Sequence, residues 1–220
     1  LHKTSVGFAK LSNSRTTVII DAAPPPMGKK AVKADASTLA FEMVSGQRRI
    51  FTSCGPGYLF GSDLSSDGRQ TNSHCAVYID NQNSSEFRDI KGWLQTPKKV
   101  IINGPRKVPK EISNDEGIGI FEGAHDGYVK SHGLTHVRKL KLSQDGQSLE
   151  GEDLMIAIED SNKRQFDKIS KKNSSVKMSV KAAFHLHPNV AVRLDHENNL
   201  TSLALKNGEV WIFNYGLDLH

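Results

Sequence analysis

Short runs of alternating apolar and polar residues dominate the chain and restrict its fold more than any other feature. About a dozen such runs, rich in β-branched or aromatic residues, are separated by Gly, Asn, Asp or Pro. Examples are Thr16–Ile20, Val137–Leu142 and Val190–Leu194. No stretch carries a 3.6-residue apolar stripe over three turns, so crossover helices are not expected. The pattern predicts an all-β fold, a large antiparallel two-sheet β-sandwich.

Turn signals support antiparallel pairing. Asp145-Gly146 and Asn207-Gly208 each stand between two alternating runs, which is the pattern of a short hairpin. Two polar segments, Gly55–Asn72 and Ser161–Ser175, are predicted to be surface loops. No domain boundary is evident, and residues 1–220 are interpreted as one domain.

Composition excludes several classes of protein. With 37% hydrophobic and 24% charged residues, the chain is typical of a globular domain. No apolar run approaches the roughly 20 residues of a membrane helix. The formal charge of +5 favours acidic partners only weakly, and no aromatic-interleaved RNA-binding signature accompanies the basic clusters. Cys54 and Cys75 fit no metal-binding spacing, and we expect buried thiols.

Histidines are the most informative candidates for a site. His74 begins a predicted strand, and His125 lies where a strand ends, next to Asp126 and Tyr128 in HDGY. A Tyr near a His can act as an acid or base, but a strand-end turn also favours Asp-Gly for backbone reasons. His185-Leu-His187 places two imidazoles on one strand face. They could share a metal or bind a sugar, although a partly buried, hydrogen-bonded pair explains the spacing more simply.

Hydrolase and nucleotide-binding motifs are absent: the sequence has no G-x-S-x-G, P-loop, H-E-x-x-H or paired C-x-x-C.

Longer blocks of the sequence resemble, in the same order, the C-terminal domain of the heparinase II/III-like family, particularly its alphaproteobacterial branch. The resemblance covers nearly the whole chain and is most specific across Ala34–Ile79 and Gly123–Leu154. The blocks are GFAKL, RTTVIIDAAPPP, ADASTLAFEMVSGQRRIFTSCG, RQTNSHCAVYID, GAHDGYVKSHGLTHVRKLKLSQDGQSLEGEDLM and FHLHPNVAVRL.

The resemblance implies a partner domain and an activity. Family members join a helical toroid to the β-sandwich and cleave acidic polysaccharides by β-elimination in a cleft between the two. We therefore expect a toroid upstream in a longer protein, one cleft wall in this chain, and an inactive fragment when the chain is alone. Whether the complete protein is an active lyase, and in which compartment, stays open. The alternative is a non-catalytic carbohydrate-binding or scaffold sandwich.

The cleft candidates follow from the resemblance and from the histidine contexts. The predicted catalytic residues are His74, His125 and Tyr128. The predicted substrate-binding residues are Arg69, Asn72, Asp126, His185 and His187.

The resemblance also implies a zinc site, but the aligned residues match it poorly. The H-x-H-x-D positions of the family fall on Lys33, Asp35 and Ser37. The Asp of a V-D-x-G turn is replaced by Ser53, and only His74 keeps the ligand of the family. Two possible donors, Asp35 and His74, do not make a zinc site. We expect no cofactor and no tightly bound metal.

Overall fold

The computed structural model describes residues 3–55, 67–90, 98–172, 178–195, 197 and 200–216. Within these ranges the chain is built mostly from antiparallel strands, and the predicted all-β class is confirmed. Neither α-helix in the described ranges is long and apolar enough to cross a membrane.

Three sheets form the body of the sandwich, and every pairing in them is antiparallel. The first sheet has the order β1-β2-β3-β4-β5, the second β12-β11-β10-β9 and the third β14-β15-β16. Their bounds are β1 Lys3–Ser5, β2 Phe8–Asn13, β3 Thr16–Asp21, β4 Phe41–Ser45, β5 Arg48–Phe51, β9 Lys110–Asp115, β10 Ile118–Tyr128, β11 Leu134–Leu142, β12 Leu149–Ile156, β14 Ala191–Asp195, β15 Leu200–Ala204 and β16 Val210–Asn214.

Smaller elements complete the described structure. Two strand pairs are β6–β13 and β7–β8, with β6 Val77–Ile79, β7 Glu86–Ile90, β8 Lys98–Asn103 and β13 Val180–Ala182. The helices are α1 Val129–His132 and α2 Asp160–Lys172, and short 3-10 turns span Gly28–Ala31, Asp67–Arg69 and Thr71–Ser73. Of the predicted loop Gly55–Asn72, residues 56–66 lie outside the described ranges.

The three main sheets share one apolar core. The first sheet contributes residues such as Leu11 and Met43, the second Phe121 and Leu140, and the third Leu203. Alternation explains this arrangement, since every second residue of β3 is buried while Ile19 between them is exposed. Each large apolar side chain buried in this way stabilises the fold by about 1.5–3 kcal/mol.

The segment Ser161–Ser175 was predicted to be a loop, and this prediction is wrong for the described part. Helix α2 spans most of it and packs Phe166 against the apolar cluster around Tyr128. Gly133, with φ +72°, allows the helix to approach, because a Cβ there would lie 2.5 Å from the carbonyl oxygen of Asn162. A contact made by so few apolar residues leaves no long stripe in the sequence.

The predicted hairpin turn at Asp145-Gly146 joins β11 to β12 and also fastens the first sheet to the second. The Thr16 hydroxyl donates to the Gly146 carbonyl at 2.6 Å, and the Asn13 amide donates to the carbonyl of Ser143 at 2.9 Å. Gly146 has φ +69°, and a Cβ added there would overlap the carbonyl oxygen of Asn13. The second predicted turn, Asn207-Gly208, joins β15 to β16.

Four polar side chains form a buried network across β10, β11 and β12. Arg138, which is 1% exposed, donates from Nε to Asp153 Oδ1 at 2.7 Å and from Nη2 to Asp153 Oδ2 at 2.8 Å. The His136 and His125 rings extend the network, with 2.8 Å from His136 Nε2 to Asp153 Oδ1 and 3.1 Å from His136 Nδ1 to His125 Nε2.

The hydrogen bonds assign one tautomer to each ring of this network. The Gly127 N–H donates to His125 Nδ1 at 3.1 Å, so His125 carries its proton on Nε2 and donates to His136 Nδ1. His136 then carries its proton on Nε2 and donates to Asp153. Burial lowers the pKa of both imidazoles, and neighbouring charges modify the effect: His136 and Arg138 lower the pKa of His125 further, and Asp153 raises that of His136. Both rings are therefore neutral at pH 7.

Edge strand β12 is exposed along most of its length. Among the described strands it pairs only with β11, and its apolar Leu154 and Ile156 are each 40% exposed. Polar residues such as Glu150 and Glu152 are exposed on the same strand. The face that carries Leu154 and Ile156 is therefore open, whereas Leu149 and Met155 on the other face pack against apolar clusters.

We expect Gly146→Ala to lower the free energy of unfolding by about 2–4 kcal/mol, because left-handed strain and the overlap with Asn13 add together. Gly208→Ala is the matched control. Gly208 has φ +85° with open space around it, so only backbone strain of about 1–2 kcal/mol is expected. Urea unfolding of both variants measures the difference, and equal losses would contradict the role of the Asn13 contact.

We expect the free energy of unfolding to fall as the pH is lowered from 7.5 to 5.5, by at most about 1.4 kcal/mol for each buried histidine. The folded-state pKa values of His125 and His136 lie below that of an unfolded histidine, about 6.5. Below pH 6.5 the unfolded chain binds the additional protons, and stability is lost as the pH falls. Urea titrations across this range test the slope. A stability that is constant or rises on acidification argues against neutral buried rings.

Candidate functional site

The structure brings three predicted site residues together with one that was not predicted. We refer to Cys54, Asn72, His74 and His185 as the His185 cluster. Asn72 and Cys54 are exposed, His185 is half-buried, and His74 lies beneath them with 3% exposure. The cluster is therefore open to ligands on one side and closed on the other.

Backbone hydrogen bonds beside β5 position this cluster. Residues 185–187 run along the free edge of β5, where the Thr52 N–H donates to the His185 carbonyl at 3.0 Å and the His187 N–H donates to that of Ile50 at 2.9 Å. The Cys54 N–H donates to the Ser73 carbonyl at 2.9 Å. A strand edge and the 3-10 turn at Thr71–Ser73 thus meet at the imidazole of His185.

His185 has a defined hydrogen-bonding arrangement. Its Nε2 lies 2.6 Å from the backbone carbonyl oxygen of Asn72, so Nε2 carries the proton and donates it. Its Nδ1 lies 3.4 Å from Cys54 Sγ and accepts the thiol hydrogen. Desolvation raises the pKa of Cys54, so the thiol stays protonated at pH 7. The pair is a polar hydrogen-bonding surface rather than an activated nucleophile.

The His74 ring is buried beneath this surface, and within the described part of the chain no hydrogen bond offsets the cost of burying its two nitrogens. Neither ring nitrogen has a hydrogen-bond partner among the described residues. Burial, with a smaller contribution from His185, lowers the pKa of His74 to about 4. The ring is neutral at pH 7, and a buried polar group of this kind costs roughly 1–3 kcal/mol. His74 is placed next to an open surface but does not itself reach it.

The zinc site implied by the family does not fit these residues. The Asp35 carboxylate lies 3.7 Å from the Arg69 guanidinium, and Ser37 donates to Asp21 at 2.6 Å. The Ser53 N–H donates to Glu42 at 3.1 Å, and Ser53 offers no anionic donor. Within the described ranges no group of three His, Cys, Asp or Glu side chains converges to hold a metal ion. The absence of bound zinc stays a prediction.

Arg69 connects backbone segments rather than facing an open surface. Its guanidinium donates to the carbonyl oxygens of Ala31, Ala34 and Lys99 at 2.5–2.8 Å and lies 5.0 Å from the centre of the Phe87 ring. These contacts use its donors, and its side chain is 10% exposed. This geometry gives no support to the predicted role of Arg69 in substrate binding.

The HDGY residues make no described hydrogen bond to the four residues of the His185 cluster. Tyr128 has no exposed surface and donates to the Val77 carbonyl at 2.8 Å, while burial raises its pKa. His125 is 1% exposed and belongs to the Arg138 network. Asp126 accepts from the Arg106 N–H at 2.9 Å. Buried side chains do not reach a polymer in a cleft, so the predicted catalytic roles of His125 and Tyr128 have no geometric support.

The two histidines of H-x-H have different environments. His187 Nδ1 accepts from the Asn189 N–H at 3.2 Å, and His187 lines a small cavity together with Arg48 and Arg49. No described contact joins its ring to that of His185. The interpretation as a partly buried, hydrogen-bonded pair therefore fits the structure better than a shared metal.

The sequence interpretation did not select Cys54, His136, Arg138 or Asp153 as candidates. Cys54 was expected to be buried but is exposed, whereas the expectation holds for Cys75. His136 and Arg138 required the strand register: His125 pairs with His136, and Arg138 with Asp153. The signal in the sequence is the alternation of Val137–Leu142, in which Arg138 shares a strand face with Leu140 and Leu142.

Comparison with known proteins places this geometry in context. The family model described as "Heparinase II/III-like, C-terminal" matches residues 4–218. A curated relative, FtsZ-localized protein C of Caulobacter vibrioides (strain NA1000 / CB15N), is 26% identical over 215 residues, covering 97% of this chain and 35% of that protein.

A solved structure, a heparinase III, superposes with a TM-score of 0.64 at 16% identity, covering 94% of this chain and 27% of the other. At this identity the likeness shows the fold alone. The chain spans about a third of the curated relative and about a quarter of the heparinase III. Taken together, the match over residues 4–218 and the shared sandwich show that the chain belongs to the heparinase II/III-like family and comprises its C-terminal domain.

Proposed function

We propose that this chain forms one wall of a cleft for an acidic, uronate-containing polysaccharide in a lyase that acts by β-elimination. The observation that carries the proposal is the His185 cluster, in which the exposed residues Cys54 and Asn72 adjoin the half-buried His185 at one open surface. These groups donate and accept hydrogen bonds, which suits the hydroxyl and carboxylate groups of a sugar polymer.

The chemistry requires a second domain. Proton abstraction next to a uronate carboxylate needs a base, and the leaving oxygen needs an acid. In the His185 cluster the thiol is protonated and His74 is buried, so neither supplies a strong base. The base and acid are assigned to the helical toroid of the complete protein, and this chain alone is inactive.

The first test uses the complete gene product that contains this chain. We expect ultraviolet absorbance from the unsaturated product with at least one uronic-acid polysaccharide. We expect His185→Ala to lower kcat/KM by about 10- to 100-fold, because the imidazole holds the Asn72 carbonyl and the Cys54 thiol in place and their hydrogen bonds to it are lost. Gln147→Ala, an exposed change in the β11–β12 turn, is the control. If no uronic-acid polysaccharide gives an increase in ultraviolet absorbance, the lyase activity is excluded.

A second candidate is a non-catalytic module that localises with FtsZ. The observation in its favour is the curated relative, which is named for its localisation with FtsZ and aligns with 97% of this chain. Co-sedimentation of the complete protein with FtsZ polymers from the same organism tests this function. Co-sedimentation without lyase activity favours the module, whereas activity without co-sedimentation favours the enzyme.

The poor fit of the zinc positions gives a further prediction. We expect elemental analysis of the purified chain to find far less than one zinc per molecule, and added zinc to leave the Tm unchanged, because Asp35 is paired with Arg69 and Ser53 supplies no charge. Stoichiometric zinc after purification without added metal would show that the donors rearrange.

A further inference from the structure

A small cavity lies between two hairpin turns that are distant in the sequence. The β4–β5 turn supplies Gln47 and the start of β5, and the β15–β16 turn supplies Lys206. The segment that carries His187 closes the third side. The cavity has a volume of about 160 Å³, and its lining residues are Gln47, Arg48, Arg49, His187, Asn189, Leu205 and Lys206.

The charge of this lining is positive and uncompensated. Arg48, Arg49 and Lys206 are exposed, and within the described ranges no carboxylate forms an ion pair with any of them. No acidic residue lines the cavity. Arg15, near the same turn, is by contrast paired with Glu209 at 3.5 Å. Three cations gathered at one concave surface repel each other, and a bound anion relieves that repulsion.

Hydrogen-bond donors dominate the polar groups of the cavity. His187 Nδ1 accepts the Asn189 N–H at 3.2 Å, which assigns the ring N–H donor to Nε2. Arg48 and Arg49 both line the cavity, and a guanidinium group offers a planar fork that matches carboxylate and sulfate geometry. Leu205, 6% exposed, supplies an apolar floor. Such a surface selects an anion with an apolar face nearby, as an acidic sugar has.

The size of the cavity restricts the ligand further. Pockets that enclose a whole drug-sized ligand measure roughly 300–1,000 Å³, and this one is about 160 Å³. It therefore holds one charged sugar unit while the rest of a polymer stays in solvent. His185 and His187 are two residues apart, about 7 Å along an extended segment, so a single polymer can contact both sites.

We propose that Arg48, Arg49, His187 and Lys206 form a secondary subsite that binds the carboxylate or sulfate group of an acidic polysaccharide, beside the His185 cluster. This inference rests on the proposed function for its substrate class. The subsite holds and orients the polymer, and it takes no part in bond cleavage.

Calorimetric titration of the purified chain with a tetragalacturonate and a heparin tetrasaccharide tests the subsite. We expect the Arg48→Gln/Arg49→Gln double variant to weaken binding of at least one of them about tenfold or more, with an unchanged Tm. The Lys168→Gln/Lys171→Gln double variant on α2 removes the same charge from exposed positions elsewhere. It is expected to leave the affinity within about twofold. Equal weakening by both double variants would show diffuse electrostatics and overturn the subsite.

Two further titrations distinguish failure of the proposed subsite from failure of the proposed function. Neutral maltotetraose is expected not to bind, and a single-stranded oligonucleotide that binds as tightly as the acidic sugars through the same arginines would overturn the polysaccharide assignment. If His185→Ala abolishes sugar binding while the arginine variant retains it, the subsite fails and the proposed cleft stands. If neither acidic sugar binds the wild-type chain, the subsite is overturned, and the polysaccharide assay on the complete protein decides the proposed function separately.

Discussion

The buried ion pair between Arg138 and Asp153 is the contact on which the rest of the described structure depends. Its guanidinium is 1% exposed and makes two hydrogen bonds to the carboxylate, which itself is 25% exposed. A guanidinium without its partner in this position would be strongly destabilising, by about 3–5 kcal/mol. Arg138 and Asp153 are cross-strand neighbours, so the correct register of β11 and β12 is required for the charge to be tolerated at all.

The same guanidinium connects the second sheet to the segments that carry the site. Its Nη1 donates to the carbonyl oxygens of Leu39 and Cys75 at 2.6 and 2.7 Å. Cys75 follows His74 directly, and its thiol accepts the His185 N–H at 3.3 Å. The Arg138 side chain therefore connects three parts of the chain. These are Asp153 on β12, Leu39 just before β4, and Cys75 beneath the His185 cluster. The cluster owes its position to this charge as much as to the apolar core.

The sequence predicted the class of fold well because alternation reports burial directly. The runs at Thr16–Ile20 and Val137–Leu142 became β3 and the greater part of β11. Charged edge strands were missed, since β9 Lys110–Asp115 is largely exposed and has no buried face to create a pattern. Helix α2 was missed for a related reason, because Phe166 alone carries much of its packing.

Predicting the candidate site was harder, because contacts between distant segments decide it. His74, Asn72 and His185 were selected from their local contexts and do meet, whereas Tyr128 had an equally suggestive context and is fully buried. The local pattern around Tyr128 does not indicate that β6 and helix α2 will cover it. The exposed Cys54 and the basic cavity depend on chain crossings of more than a hundred residues, which no local pattern encodes.

The exposed strand β12 has a consequence for how molecules of this chain behave toward each other. An uncovered edge with free backbone groups is a template onto which a strand from another copy could add. Glu150 and Glu152 place two negative charges on the open face of that strand, whereas Asp153 is paired with Arg138. When two such edges align antiparallel, like charges face each other and oppose pairing. By this argument the two glutamates disfavour edge-to-edge association between copies of the chain.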